Sequence, residues 1–397
     1  MRNVIILGAG ASFDAGVPLL GGFMDKMWEF ARRRIIAGNP LSQEDAKVFD
    51  RAIEIRDELN IYHGRANFDD RNIEDILSIL SFNALAGDRK DRDKLNAFNQ
   101  AITRTIELTC TVTHPGVYPR GEGRVHEVGD EHYRAFWRAL FKWRASGKPL
   151  PHILTFNYDL VFERALLQVL IGTTYNNYDN KLPFKSFKID YQYEHVPTKT
   201  YEIGYVNYGQ FKEPRGGTVL KEALDNAANA TETIEILKLH GSVNFPRTKL
   251  GDDAKDYVLT KTQADPFILP PIFNKLSTSA PNKMWSAGLN RLRESANVLI
   301  VGYSLPRTDI YMQYFLKAAL GPNINLNRIF VFDPALCNGT PAGADMRARI
   351  EDCFAPQLRS RICFKHDDSF SKKHPESAGT FKHFVQLLSS SPDAILF

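Results

Sequence analysis

The first eighteen residues constrain the fold of this 397-residue chain more than any other segment. A short apolar run at residues 3–7 is followed at once by Gly8-Ala9-Gly10-Ala11-Ser12, and Gly16-Val17-Pro18 closes the segment. A buried strand that enters a glycine-rich turn lets the backbone approach a phosphate closely, because a side chain at the turn would block that approach. The segment therefore predicts an α/β domain with a nucleotide beside its first strand.

The segment departs from the dinucleotide-binding fingerprint Gly-x-Gly-x-x-Gly, because Phe13 stands at the third glycine position. The chain after Pro18 has a helical pattern, and a strand ending in an acidic residue is not evident about twenty residues on, where a ribose-binding carboxylate is expected. Hydride transfer is accordingly disfavoured. A glycine turn without a ligand, as in any α/β domain, remains an alternative for this motif taken alone.

Composition narrows the class of protein. The chain is 43% hydrophobic and 24% charged, as ordinary globular proteins are, and its formal net charge is +4. The densest charged stretch, residues 88–94, alternates in sign and indicates a solvated surface. Direct binding of nucleic acid has no support in this pattern.

Four cysteines are widely scattered and form no Cys-x-x-Cys pair; they are Cys110, Cys337, Cys353 and Cys363. This spacing predicts neither a structural zinc site nor a disulfide framework, and it fits a reducing compartment. The N-terminus shows no signal-peptide pattern, and no apolar run is long enough to cross a bilayer. We therefore expect a cytoplasmic protein without metal and without membrane contact.

Further apolar runs predict strands at residues 153–156, 234–239, 297–301, 328–332 and 361–364. Short apolar strands separated by helices predict a Rossmann-like parallel sheet covered by helices on both faces. We expect a single domain over residues 1–397, with its core in residues 1–19, 150–172 and 233–397. Residues 20–149 are predicted to be a helical insertion, and the tyrosine-rich residues 173–232 an inserted hairpin or lid.

Small or polar residues follow five of these strands. Ligands of parallel sheets bind beyond the carboxyl ends of the strands, so these residues are predicted to share one crevice. They are Gly8, Ala9, Gly10 and Ser12; Asn157, Tyr158 and Asp159; His240, Gly241 and Ser242; Gly302, Tyr303 and Ser304; and Asp333.

Four of these segments carry a specific resemblance. The N-terminal segment Gly8-Ala9-Gly10-Ala11-Ser12-x-x-x-Gly16-Val17-Pro18 resembles the opening of the sirtuin family. Thr155-Phe156-Asn157-Tyr158-Asp159 resembles the family's Thr-x-Asn-x-Asp segment, Leu239-His240-Gly241 its His-Gly segment, and Gly302-Tyr303-Ser304-Leu305 its Gly-x-Ser-Leu segment. The order of the segments agrees with the family, and the resemblance implies NAD as the ligand.

The chain also departs from the sirtuin deacylases. It has no set of four zinc-binding cysteines, and Pro18-Leu19-Leu20 replaces the family's Pro-Asp-Phe-Arg. Gly302-Tyr303-Ser304-Leu305-Pro306 with Asp309, and residues 270–275, resemble the divergent sirtuin-like proteins of prokaryotic anti-phage defence. Members of that group typically hydrolyse NAD and do not deacylate lysine, and compact single-domain members resemble the subunit that pairs with a HerA-type DNA-translocating ATPase. The resemblance implies a homo-oligomeric NAD+ glycohydrolase that is gated by assembly or by a partner and acts in abortive infection.

Asn157 and His240 are the predicted catalytic residues. Cleavage of the nicotinamide–ribose bond develops oxocarbenium character, so the protein must orient the nicotinamide, place a water and accept a proton. An amide suits the orienting role and an imidazole the proton transfer. The predicted ligand-binding residues are Gly8, Ala9, Gly10 and Ser12 for the pyrophosphate, Asp159 for the nicotinamide and water, and Gly302, Ser304 and Asp333 for phosphate and adenosine ribose.

Each assignment has a structural alternative. Asn157 could cap the following helix, His240 could be a turn residue, Asp159 could pair with Arg164, and Asp333 could only initiate a turn. At the level of function, the alternatives are an NAD-dependent protein deacylase and a sensor that binds NAD or ADP-ribose without turnover. The apolar tail at residues 394–397 could serve an oligomer interface or fold back onto the core.

Overall fold

The computed structural model describes residues 2–62, 68–112, 130–172, 183–196, 198–208, 215–222, 231–250, 259–269, 279–307, 309–337, 339–365 and 369–396. Its strands are β1 (Val4–Leu7), β2 (Ile35–Ile36), β3 (Asn39–Pro40), β4 (His152–Thr155), β5 (Ser186–Asp190), β6 (Thr200–Tyr208), β7 (Arg215–Glu222), β8 (Thr231–Lys238), β9 (Gly241–Pro246), β10 (Pro266–Ile268), β11 (Asn297–Val301), β12 (Arg328–Phe332) and β13 (Ile362–Phe364). Its α-helices are α1 (Phe23–Arg33), α2 (Gln43–Tyr62), α3 (Ile73–Ala86), α4 (Arg89–Thr109), α5 (Asp130–Ala145), α6 (Val161–Gly172), α7 (Ser279–Arg293), α8 (Ile310–Leu320), α9 (Pro341–Glu351), α10 (Pro356–Arg359), α11 (Ser369–Lys373), α12 (Phe381–Ser390) and α13 (Asp393–Leu396).

The main sheet has nine strands among the described residues, in the order β13-β12-β11-β1-β4-β8-β5-β6-β7. All neighbours from β13 to β5 pair in parallel, and β6 and β7 add an antiparallel hairpin at one edge. Strands β1, β4 and β11 are buried at every position, because helices and loops cover the centre of a parallel sheet. The predicted Rossmann-like parallel sheet is thus confirmed, and its six predicted strands are β1, β4, β8, β11, β12 and β13.

Helices of the predicted helical insertion pack against the core rather than apart from it. Tyr133 and Phe136 of α5 contact Phe381 of α12, with ring centroids 5.0 and 5.7 Å apart, and Phe136 also contacts Phe162 of α6 at 5.6 Å. α3 begins after Asn72, whose side chain accepts a hydrogen bond from the Glu74 amide over 2.9 Å. The helical region therefore shares one hydrophobic core with the sheet.

The described strands within residues 173–232 continue the main sheet. β5 pairs in parallel with β8, and β6 and β7 form the outer hairpin. Tyr191 and Tyr193 follow β5 and are buried, the first donating to Glu163 over 3.2 Å and the second to the Pro246 carbonyl over 3.0 Å. These two rings support the fold, which favours the hairpin alternative for this part of the range.

The described part of the C-terminal tail folds back onto the core. Ile395 and Leu396 are buried, and the Asn3 side-chain amide donates to the Leu396 carbonyl over 2.5 Å. Phe397 lies outside the described residues.

Over the ranges described, none of the helices combines the length and the apolar character that crossing a membrane requires.

Candidate functional site

The five predicted strand ends meet at one cavity of about 510 Å³, a size typical of sites for small molecules. Its floor is built from the residues that follow β1, β4, β8, β11 and β12. Helical residues outside the sheet complete its wall. The residues that line it are Ala9, Gly10, Phe13, Asp14, Leu19, Leu20, Gly21, Glu74, Phe156, Asn157, Tyr158, His240, Gly302, Tyr303, Ser304, Pro306, Asp309, Asp333, Pro334, Thr380 and Phe381.

Glycines allow the turns after β1 and β11 to touch. Gly302 has a φ of +62°, and a Cβ there would lie 2.4 Å from the Ala11 nitrogen. A Cβ at Gly8 would lie 2.5 Å from the Gly302 carbonyl oxygen. Any side chain at these two positions would push the turns apart, so the glycines are required by packing between the turns.

The amides of the first turn are largely engaged within the fold. Those of Gly8 and Gly10 donate to the Val301 and Gly302 carbonyls, and those of Ala11 and Ser12 donate to carbonyls within the turn itself. The glycines were expected to let the backbone amides approach a phosphate. That expectation is corrected, because these four N–H groups are already hydrogen-bonded and do not form an open phosphate cradle. Ala9 and Gly10 still line the cavity, so a ligand would meet the turn at this surface.

Asn157 connects the turns after β4 and β1. Its Nδ2 donates to the Gly8 carbonyl and to the Ser12 hydroxyl, each over 2.9 Å. A carbonyl can only accept, so Nδ2 must face Gly8 and Oδ1 must point the other way. Asn157 is 6% exposed, and its Oδ1 has no hydrogen-bond partner within the described structure. A buried acceptor without a partner is uncommon and is suited to a ligand or a water in the cavity.

Asp159 caps α6, the role that had been an alternative for Asn157. Its carboxylate accepts from the Val161 amide over 3.0 Å. Burial raises the pKa of Asp159, and the positive charge of Lys238 opposes that shift. Gly8, Ser12 and Asp159 are not among the described residues that line the cavity; they lie behind Asn157 and hold it in place.

Arg164 is not the partner of Asp159. Its guanidinium binds Glu107 over 2.7 Å and the carbonyls of Val112 and Thr260. The predicted alternative of an Asp159–Arg164 ion pair is therefore wrong.

A buried ion pair lies beneath Asp159. The Lys238 ammonium contacts Glu163 over 3.0 Å and also donates to the Asp159 carbonyl, and Lys238 is only 1% exposed. A charge at this depth requires a partner, because its desolvation is otherwise too costly. The pair fixes the turn after β4 on β8. Sequence reasoning missed it, although a lysine within the apolar β8 was a usable signal.

His240 lies among aromatic rings at the end of β8. Its ring centroid is 5.0 Å from that of Phe156 and 6.4 Å from that of Trp285, and its Nε2 is 3.7 Å from Asp309 Oδ2. Asp309 also accepts a 2.7 Å hydrogen bond from the Tyr303 hydroxyl. A carboxylate at this distance stabilises the imidazolium that forms when the ring accepts a proton. His240 is thus buried, oriented and part of the cavity wall.

Ser304 and Asp333 lie at the side of the cavity formed by β11 and β12. Asp333 accepts from the Ala335 amide over 2.9 Å, so it does initiate the turn at residues 334–337, and it lines the cavity as well. Burial raises the pKa of Asp333, and Arg349 opposes that shift. Arg349 also donates to the Ser304 carbonyl over 3.1 Å, which fixes this edge of the site.

Sequence reasoning missed most of the cavity's remaining wall. Phe156 was missed although it precedes Asn157, and its ring centroid lies 4.4 Å from that of Tyr303, which was predicted to lie in the crevice. Burial, followed by the charge of Asp309 and the hydrogen bond to it, raises the pKa of Tyr303 far above its usual value. Glu74 comes from α3, and its position in a helical first turn gave no indication of a site.

Within the described ranges, no three histidine, cysteine, aspartate or glutamate side chains come together in a group suited to a metal ion. The four cysteines are free thiols.

Part of the chain is similar to a known protein family. Residues 151–336 match the family model described as SIR2-like domain. Three of the four segments that resemble sirtuins lie in this region, so the match supports the predicted resemblance there. The segment at residues 270–275 lies outside the described structure.

A solved structure of Sir2Tm bound to a propionylated peptide is similar to the chain at 11% sequence identity, with a TM-score of 0.29. The match covers 95% of this chain and 92% of that chain. No curated protein matches the sequence.

Proposed function

We propose that the protein is an NAD+ glycohydrolase that cleaves NAD+ to ADP-ribose and nicotinamide. The observation that carries the proposal is the meeting of Asn157 and His240 in one cavity, with Asn157 Oδ1 lacking a partner among the described residues. The match of residues 151–336 to a SIR2-like domain supports NAD as the ligand.

In the proposed reaction, a water oxygen attacks C1′ of the nicotinamide ribose. The bond from C1′ to the pyridinium nitrogen breaks, and its electron pair neutralises the ring, which leaves as nicotinamide. Asn157 Oδ1 accepts a hydrogen bond from the attacking water or from the nicotinamide carboxamide. His240 accepts the proton that the water loses, and Asp309 stabilises the resulting imidazolium.

The adenosine half of NAD is assigned to the other side of the cavity. Ala9, Gly10, Gly302 and Ser304 would contact the pyrophosphate at the close approach of the two turns. Asp333 ends β12 and would bind a ribose hydroxyl, as acidic residues at strand ends do in dinucleotide sites. Ser12 and Asp159 support Asn157 from behind and are positioning residues in this scheme.

The biological role follows from the resemblance to sirtuin-like defence proteins. We propose a cytoplasmic effector of abortive infection that depletes NAD in a phage-infected bacterium. Unregulated depletion would kill the host, so the activity requires control, by homo-oligomer assembly or by a HerA-type ATPase partner. Neither direct nucleic-acid contact nor membrane contact is part of the proposal.

The test is release of nicotinamide from NAD+ by the purified protein, alone and with the ATPase, measured by chromatography. We expect equimolar nicotinamide and ADP-ribose from the wild type, and a loss of at least about 100-fold in Asn157→Ala and His240→Ala. An acetylated peptide is added in a parallel reaction.

Formation of O-acetyl-ADP-ribose from the peptide would replace the proposal with a deacylase. Binding of NAD+ without nicotinamide release under any of these conditions would replace it with a sensor. Full turnover by both variants would reject the residue assignments while leaving the activity.

A further inference from the structure

Glu74 brings a carboxylate into the cavity from outside the sheet. It lies in the first turn of α3, next to the capping residue Asn72, and it lines the same cavity as Asn157 and His240. It is 6% exposed, which is unusual for a glutamate at a helix start because such residues normally lie in solvent.

The field of Glu74 reaches the residues that surround His240. Its negative charge contributes to raising the pKa values of Tyr158 and Tyr303, alongside burial and the charge of Asp309. Coulomb interactions are strong only at short range or in a poorly solvated interior. The carboxylate of Glu74 therefore acts inside the cavity, on the same rings that Asp309 acts on.

Three other carboxylates at the site have identified structural roles, and a fourth, Asp14, lines the cavity but is exposed. Asp159 lies behind the cavity wall and caps α6. Asp309 binds Tyr303 and faces His240, and Asp333 lies at the end of β12 on the adenosine side of the proposed site. Glu74 is the buried carboxylate of the described cavity wall that lies outside these arrangements.

We propose that Glu74 is a catalytic residue that contacts the nicotinamide ribose and stabilises the positive charge that develops on it. This inference rests on the proposed glycohydrolase activity. A fixed negative charge stabilises an oxocarbenium-like ribose more than it stabilises the ground-state sugar. The interaction therefore lowers the activation barrier of bond cleavage. Glu74 lies in the first turn of α3, where the positive end of the helix dipole favours a negative charge.

With Glu74 in this role, the helical region at residues 20–149 contributes a residue to the active site. The sheet supplies the amide and the imidazole, and α3 supplies the carboxylate. A complete site therefore requires α3 to be docked on the carboxyl ends of the strands.

The test compares Glu74→Gln with the control variant Asp75→Asn. Asp75 is the next carboxylate along α3; it accepts a hydrogen bond from the Asp69 amide and does not line the described cavity. We expect kcat for nicotinamide release to fall about 100-fold in Glu74→Gln and to stay within about 2-fold of the wild type in Asp75→Asn. The affinity of Glu74→Gln for ADP-ribose, which lacks the departing nicotinamide, should differ from that of the wild type by less than about 3-fold. Calorimetry measures this affinity. The Tm of Glu74→Gln should stay close to that of the wild type, because glutamine has nearly the same shape and keeps an acceptor oxygen. Glu74→Asp, which keeps the charge on a shorter side chain, should recover part of kcat.

A Glu74→Gln protein with wild-type kcat would overturn the inference and leave the glycohydrolase standing. Equal losses of kcat, ADP-ribose affinity and Tm in both Glu74 variants would show a structural role and overturn it as well. A wild type that releases no nicotinamide would instead refute the proposed function, and Glu74 with it.

Discussion

The side-chain amide of Asn157 donates a hydrogen bond to the Ser12 hydroxyl over 2.9 Å, although the two residues are 145 positions apart in the sequence. The same amide donates to the Gly8 carbonyl over 2.9 Å, so its two hydrogen bonds join the turn after β4 to the turn after β1. Because all three residues are buried, the amide of Asn157 has a single orientation, with Oδ1 left for the cavity.

Replacement of Asn157 by alanine should abolish turnover at a moderate cost in stability. The Gly8 carbonyl and the Ser12 hydroxyl each lose a buried partner, and we expect the free energy of unfolding to fall by about 1–3 kcal/mol. The matched control is Asn323→Ala, since Asn323 is also buried but its amide binds the Leu292 and Ser295 carbonyls away from the cavity. Urea unfolding and nicotinamide release measured on both variants separate the two effects. Equal losses of activity in both would show that Asn157 acts only through stability.

Replacement of Asp309 by asparagine should lower kcat about 10- to 100-fold with little change in KM. The variant keeps a hydrogen-bond acceptor for the Tyr303 hydroxyl but removes the negative charge 3.7 Å from His240. Tyr303→Phe is the control, because it removes the hydroxyl and keeps the carboxylate. Steady-state measurement of kcat and KM for both variants tests this prediction. A Tyr303→Phe defect as large as that of Asp309→Asn would mean that the loop position matters more than the charge.

The centre of the sheet was predictable because its apolar strands β1, β4 and β11 are buried at every position. The segments that form β1 and β11 consist mostly of large aliphatic residues. A short, continuous apolar run of this kind is typical of a strand buried in a parallel sheet. β5 was missed, because Ser186–Asp190 mixes polar and apolar residues within a tyrosine-, asparagine- and lysine-rich stretch. Its place beside β8 is decided by tertiary pairing.

The candidate site was predictable where the strand-end rule applies and not elsewhere. Asn157 and Asp159 both follow β4, but only the geometry of the turn decides that Asn157 meets the cavity while Asp159 caps α6. Glu74 comes from a helix 83 positions before Asn157, and its first-turn location is what an ordinary capping pattern predicts. Contacts that depend on how helices dock leave no local signal in a single sequence.

Replacement of Gly302 by alanine should destabilise the protein more than replacement of Gly339. Both glycines have positive φ, +62° and +59°, so both variants bear the backbone cost of about 1 kcal/mol that alanine meets in this region. A Cβ at Gly302 would also lie 2.4 Å from the Ala11 nitrogen, whereas nothing lies within 4 Å of a Cβ at Gly339. The difference between the two free energies of unfolding measures the contact between the β1 and β11 turns. Equal values would show that the turns can separate without cost.

Stability in acid should depend on Glu235, which lies at the end of the sheet opposite the cavity. Its carboxylate contacts His152 Nδ1 over 2.6 Å and both Nε and Nη2 of Arg291 over 3.0 Å. Hydrogen bonds from His152 and Arg291, which outweigh the effect of burial, lower its pKa from 4.5 to about 2. Because the folded pKa is the lower one, the stabilisation is complete above about pH 4.5 and is lost as the pH falls towards 2.

We expect this linkage to contribute about 3 kcal/mol to the free energy of unfolding at neutral pH. Guanidinium unfolding of the wild type and of Glu235→Gln, each measured between pH 7 and pH 2.5, tests it. The variant should be the less stable protein at pH 7, and the gap between the two should narrow steadily below pH 4.5, because protonated glutamate and glutamine make similar contacts. A gap that stays constant over this range would show that the ionised carboxylate contributes nothing specific and that the contacts of Glu235 act through shape alone.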